Sequence, residues 1–98
     1  MVAVFIRTAS SDFRKTQKQM ESCMPFVKDI EHKLYMEIDV KTNDSDRPGL
    51  SQLIADIEAG LVKEVICQSA ERISRNPVEL SNFMWIANQM NVPVVFAE

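Results

Sequence analysis

The stretch Arg47–Asn76, RPGLSQLIADIEAGLVKEVICQSAERISRN, decides the fold. Pro48 and Gly49 open an amphipathic helix, because proline suits a first helical turn where its missing N–H would have no partner. Leu50, Leu53, Ile54 and Ile57 form one apolar stripe, and Gly60 stands where a helix-ending glycine belongs. Val62 to Cys67 reads as a short apolar strand, and Glu71-Arg72-Ile73-Ser74-Arg75 follows at its carboxyl end. In parallel α/β sheets ligands bind past the carboxyl ends of strands. Two guanidiniums beside a carboxylate there suggest an anion, and phosphate matches the planar guanidinium fork. The same residues also read as two surface arginines on a solvated turn.

Upstream, Val2-Ala-Val-Phe-Ile6 is a continuous apolar run, as expected of a central strand buried on both faces, and it ends at Arg7-Thr8-Ala9-Ser10-Ser11-Asp12. Ser11 or Asp12 can cap the next helix. That helix runs from Phe13 toward Val27, with Phe13, Met20, Cys23, Met24 and Val27 on one face; Pro25 ends it near Cys23 or bends it. Leu34, Met36 and Ile38 alternate with Tyr35, Glu37 and Asp39, the pattern of a half-exposed strand at or near a sheet edge. Val40 to Asp46 is a polar, turn-rich and mobile loop. Downstream, Asn76-Pro77 starts a helix whose buried face is Val78, Leu80, Phe83, Met84, Ile86, Ala87 and Met90, and Asn91 suits its left-handed C-cap. A last strand covers Val92–Ala97, with Pro93 at its start. The expected strands lie near residues 2–7, 34–39, 62–68 and 93–97. The order βαβαβαβ with right-handed crossovers predicts a three-layer, flavodoxin-like α/β fold with a mainly parallel four-stranded sheet.

Ninety-eight residues suit one domain, and 46% apolar with 26% charged residues is ordinary globular composition. No apolar run reaches the ~20 residues of a membrane span. The N-terminus lacks the charged start of a signal peptide and meets Arg7 early, so the expected compartment is the cytoplasm and no membrane contact is expected. Cys23 and Cys67 lack metal spacing and read as buried free thiols; His32, the one histidine, sits in a charged segment and reads as a surface residue, so no metal is expected. The net charge of −3 disfavours a free-standing nucleic-acid binder but not a catalytic domain whose DNA affinity comes from another module. No Gly-rich phosphate loop occurs.

Three segments carry a resemblance. The opening strand closes in Arg7 with serine close behind; Asp46-Arg47-Pro48-Gly49-Leu50 matches a D/E-R-P-G-L pattern; and Glu71-Arg72-Ile73-Ser74-Arg75-Asn76 is similar to D-R-L-S-R-N after a strand, with Gly60 at matching distance before it. In these the chain resembles the resolvase/invertase family of serine site-specific recombinases, over nearly its whole length, as their catalytic domain. The resemblance implies strand order 2-1-3-4. It also implies site-specific DNA recombination: a serine attacks a DNA phosphodiester, becomes joined to the 5′ phosphate, and the reaction reverses within a tetramer built from dimers. It implies no cofactor and no metal, because arginines stabilise the transition state. Residues 1–98 would then be a catalytic domain lacking the dimerisation helix and DNA-binding domain that family members carry.

Carried onto this chain, Ser10 becomes the nucleophile. Arg7, Arg72 and Arg75 bind phosphate and stabilise the transition state, Arg47 supports them, and Glu71 holds an arginine in register. The chain departs from the pattern at named positions. Ala9 occupies the strict nucleophile position, Lys41-Thr42 replaces a Ser-Gly, Glu71 replaces Asp, and Phe13 stands where a glutamine is common, with Gln17 and Gln19 close by. Ser10 therefore serves only if the strand ends early or bulges at Thr8–Ala9, turning Ser10 toward Arg72. The alternatives are a catalytically inactive recombinase-like domain with a regulatory or protein-interaction role, and a small flavodoxin-like binding module.

Overall fold

A computed structural model describes residues 1–41 and 46–98. The elements run β1 (Val2–Arg7), α1 (Phe13–Cys23), a 3₁₀ turn (Met24–Val27), β2 (His32–Glu37), α2 (Pro48–Glu58), β3 (Glu64–Cys67), α3 (Ala70–Ile73), α4 (Pro77–Gln89) and β4 (Val94–Phe96). All pairings are parallel, in the order β2-β1-β3-β4, as expected. The expected loop over Val40–Asp46 lies partly outside the described residues, at positions 42–45.

The centre of the sheet is β1, where all six residues are buried. Alternation along a strand sends neighbours to opposite faces. Ala3 and Phe5 join a core with Leu50, Leu53 and Ile57 of α2 and Phe83 and Ala87 of α4. Val2, Val4 and Ile6 meet Cys23, Val27 and Ile66 on the α1 face. Glycine and asparagine end α2 and α4 by the same device. Gly60 (φ 77°) donates to the Ile57 carbonyl while Leu61 donates to Asp56; Asn91 (φ 56°) donates to Asn88 while Val92 donates to Ala87. A left-handed residue thus satisfies carbonyls that the helix leaves open.

Several expected faces need correction. Pro25 falls in the 3₁₀ turn and α1 ends at Cys23, one of the two outcomes expected of it. Its buried residues are Thr16, Gln19 and Cys23, and Phe13 is 71% exposed, because it opens the helix a turn before the first residue that reaches the sheet. On α4, Phe83 and Ala87 are buried, whereas Val78 in the first turn and Met90 at the C-cap face solvent. In β2 the pattern inverts: Tyr35 and Glu37 are buried and Met36 and Ile38 are exposed. Tyr35 joins the α2-side core, and Glu37 is held there by the charge described below.

Candidate active site

The carboxyl ends of β1 and β3 bring the candidate residues together. Arg7, the last residue of β1, lies opposite Glu37 of β2. Its buried guanidinium donates from Nε to the Arg72 carbonyl (2.8 Å), from Nη1 to Val40 (3.0 Å) and from Nη2 to Glu71 (3.0 Å). One side chain therefore ties β1 to the segment after β2 and to α3. Gln19 of α1 clasps the Arg7 backbone, accepting from its N–H at 3.2 Å and donating to its carbonyl at 2.8 Å. This explains why a polar residue lies fully buried on the inner face of α1: both halves of its amide are satisfied.

Arg72 sits on the single turn of α3, where Ser69 precedes the helix. Its Nε donates to Gln68 Oε1 (3.2 Å) and its Nη1 reaches the Arg7 carbonyl at 3.5 Å. Arg75 is exposed, and its Nη2 lies 3.6 Å from Glu71 Oε2 across one helical turn's spacing, an exposed pair of small energetic weight. An open depression of about 510 Å³ runs past Glu71, Ser74 and Arg75.

Arg47 enters from the start of α2 and is buried. Its Nε and Nη2 both donate to Glu37 Oε1 (3.1 and 2.7 Å), and its Nη1 donates to the Ile73 carbonyl (2.6 Å) and Glu79 Oε1 (2.9 Å). Glu37 Oε2 accepts the Leu50 N–H at 2.9 Å. One carboxylate thus holds both the arginine and an open N–H in the first turn of α2, where a negative charge is favoured. Gly49 makes the approach possible, since a Cβ there would lie 2.6 Å from Glu37 Cγ.

The cations sense one another. Burial lowers the Arg7 pKa most, then the positive charges of Arg47, Arg72 and Arg75, while Glu37 raises it. Arg7 and Arg47 meet the same segment after β3, at the Glu71, Arg72 and Ile73 carbonyls. Both are largely engaged with carbonyls and carboxylates. Arg72 is half-buried and Arg75 faces solvent.

Ser10 is half-buried in the turn after β1. Its Oγ accepts the Asp12 N–H at 3.3 Å, and its carbonyl accepts the Thr8 hydroxyl at 2.8 Å. Asp12 caps α1, accepting from the Arg14 N–H. Its carboxyl pKa is lowered, chiefly by the Arg14 side chain. The strand ends at Arg7, but the extra residue lies on the neighbouring chain segment and not at Thr8–Ala9. Thr8 donates to the Glu37 carbonyl and accepts from Val40 N–H, with Asp39 (φ 60°) inserted between them. Such an insertion is a bulge, which re-aims the chain at a sheet rim. Glu37 and Gln68 are site-building residues that motif reading did not single out, and Gln19 entered it only as one of two glutamines near the position where Phe13 stands. The cue for Glu37 was a carboxylate ten residues before a motif arginine, on a strand that otherwise alternates.

Among the described residues no group of His, Cys, Asp and Glu is placed to hold a metal ion, and no helix is long and apolar enough to cross a membrane.

The profile of the family described as "Resolvase, N terminal domain" matches residues 2–98. A search of curated proteins finds no match. Among solved structures, the N-terminal catalytic domain of TP901-1 integrase superposes with a TM-score of 0.86 at 15% identity, over 98% of this chain and 76% of the other. The C-terminal catalytic domain of ISC1926 TnpA, an IS607-like serine recombinase, gives 0.84 at 19%, over 100% and 70%. A resolvase family site-specific recombinase from Streptococcus pneumoniae gives 0.81 at 20%, over 98% and 70%. At these identities the likeness speaks for the fold, which they share.

Proposed function

The chain belongs to the resolvase N-terminal domain family, and from that premise we propose that it cuts and rejoins DNA at specific sites through a serine joined to the 5′ phosphate. The observation that supports this reading is that the buried Arg7 and Arg47 guanidiniums both donate to carbonyls of the segment that carries Arg72 and Arg75, at Arg72, Glu71 and Ile73. A phosphodiester brought there meets fixed positive charge where the transition state gathers negative charge.

In this reading Ser10 Oγ attacks phosphorus and gives up its proton to solvent. The bond to the 3′ oxygen breaks, and that oxygen leaves as a hydroxyl after taking a proton. Rejoining is the reverse, so phosphodiester energy is conserved and neither cofactor nor metal is required. Arg72 and Arg75 supply the accessible charge, Arg7 fixes the strand ends, Arg47 supports the crevice, and Glu71 restrains Arg75. DNA is the substrate. The reacting assembly is a tetramer formed from dimers, acting in the cytoplasm, with residues 1–98 as its catalytic domain beside separate dimerisation and DNA-binding parts.

The test is covalent trapping. The full-length protein, incubated with cognate DNA and quenched with detergent, should yield a protein–DNA adduct at Ser10, and Ser10→Ala should abolish it. An adduct that persists in Ser10→Ala and maps to Thr8 or Ser11 reassigns the nucleophile. A second reading, a catalytically inactive domain that works through protein contacts, is favoured by one observation: Ser10 Oγ already serves the turn as acceptor for the Asp12 N–H. Absence of any adduct on cognate DNA would favour it.

A further inference from the structure

Arg72 has a long side chain that loses rotamer freedom when fixed, yet it must present its guanidinium in one direction to act on a phosphate. Its anchor is Gln68, one helical turn earlier, whose Oε1 accepts the Arg72 Nε–H at 3.2 Å. An amide can serve as acceptor there only with its oxygen toward Arg72 and its NH₂ on the other side. On that other side lies Glu98 Oε2, which accepts from Gln68 Nε2 and also from the Ser22 hydroxyl at 3.0 Å. The flipped amide would set N–H against N–H and oxygen against carboxylate, so Glu98 selects the orientation that Arg72 needs.

The backbone fixes Glu98 in turn: its N–H donates to the Gln68 carbonyl at 3.0 Å, and the Ala97 N–H donates to Cys67 at 2.8 Å. A chain of contacts therefore runs from the end of α1 through the end of β4 to the residue after β3, and finishes on Arg72. Gln68 is also neutral. A carboxylate at the same place would fix Arg72 equally well but would cancel the charge that an incoming phosphate is to meet. A glutamine polarised by a distant glutamate fixes the guanidinium and leaves its charge available.

We infer that Gln68, oriented by Glu98, is the positioning residue that holds the Arg72 guanidinium ready for a phosphate group. This rests on the reading of Arg72 as a phosphate ligand.

The test separates positioning from catalysis. In ¹⁵N-labelled protein, inorganic phosphate is titrated while the Arg72 Nε–H resonance is followed. In the wild type that proton should exchange slowly with water and shift as phosphate binds. Gln68→Met keeps the length of the side chain but removes the acceptor. It should speed exchange and weaken phosphate binding by about tenfold, the scale of one hydrogen bond to a charged group. Glu98→Gln alters only an exposed surface group, so it tests the relay without threatening the fold, and should give a smaller change in the same direction. Gln68→Glu should restore slow exchange but not phosphate affinity. Covalent trapping on DNA provides the second arm: Gln68→Met should slow adduct formation about tenfold or more while changing DNA affinity little. Unchanged Arg72 exchange in Gln68→Met, or no response of Arg72 to phosphate in the wild type, overturns the inference. If phosphate binding depends on Gln68 but the wild type forms no adduct, positioning stands and the strand-cleavage reading falls.

Discussion

The pair Glu37–Arg47 offers a quantitative test of how the strand ends are built. The Glu37 side chain is fully buried and that of Arg47 is 5% exposed, and the two meet at 2.7 Å. Removing Glu37, as in Glu37→Leu, leaves a buried guanidinium that, among the described residues, keeps the Ile73 carbonyl and the half-exposed Glu79, and it frees the Leu50 N–H. Removing Arg47, as in Arg47→Leu, leaves a buried carboxylate that, among the described residues, keeps the Leu50 N–H. Stripping one partner from a buried ion pair costs about 3–5 kcal/mol, because the other charge stays desolvated and unpaired. A domain of this size commonly has about 5–15 kcal/mol in hand, so either single change should remove a large share. Equilibrium urea unfolding followed by far-UV circular dichroism reads the loss directly. The midpoint of thermal unfolding should fall by more than about 12 °C at the usual 4–8 °C per kcal/mol. The double variant Glu37→Leu/Arg47→Leu removes both charges, so it should be far less destabilised than the sum, with a coupling of at least about 2 kcal/mol. Single variants that cost under about 1 kcal/mol, or a double variant that equals the sum, would show that the charges are not held as a pair.

Two further outcomes follow from the same geometry. Gly49→Ala should destabilise by about 1–3 kcal/mol in the same unfolding assay through overpacking against the pinned Glu37, although alanine is the better helix former; a gain in stability would refute the close approach. The buried thiols govern alkaline behaviour. Burial raises Cys23 to about 11 and Cys67 to about 12, so between pH 9 and 10 the unfolded chain loses thiol protons that the folded chain keeps. Stability should therefore fall as pH rises through that window, with each thiol adding a slope of up to about 1.4 kcal/mol per pH unit. Urea midpoints at pH 8, 9 and 10 should show it, Cys23→Ala/Cys67→Ala should flatten it, and an unchanged slope in that variant would refute the assignment.

How much of this was legible in the sequence depended on whether the cause was local. The parallel sheet was readable because apolar runs and helical stripes alternate from Val2 to Phe96, while the strand order came with the family resemblance that the three motif segments carry. The capping residues Asn76, Gly60 and Asn91 were readable because their chemistry acts within a few residues. Strand ends were less so: β2 was expected at 34–39 but lies at His32–Glu37, because Asp39 takes a left-handed conformation and diverts the chain. The burial of Glu37 was hidden, since it depends on a cation arriving from α2. Phe13 and Val78 misled for a related reason: periodicity assigns a face to a helix, but not how far the first turn overhangs what it covers. The motifs pointed to four arginines, of which Arg7 and Arg47 both donate to carbonyls of the Glu71–Ile73 segment. They did not tell that carbonyls would occupy Arg7, or that Gln19 and Gln68 would hold its neighbourhood together.

The central place of β1 has a consequence for how the chain acquires its fold. Val2 to Arg7 pair on one side with His32–Glu37 and on the other with Glu64–Cys67. Within this domain β1 is made before both neighbours, so it waits for partners some thirty and sixty positions downstream, and each pairing must first overcome the entropy of closing the intervening loop. Until Glu64–Cys67 arrives, one flank of the most hydrophobic segment is an open strand edge, a template for pairing with other chains. Folding during synthesis thus waits on β3, and the interval before it emerges is when the nascent chain is most prone to aggregate.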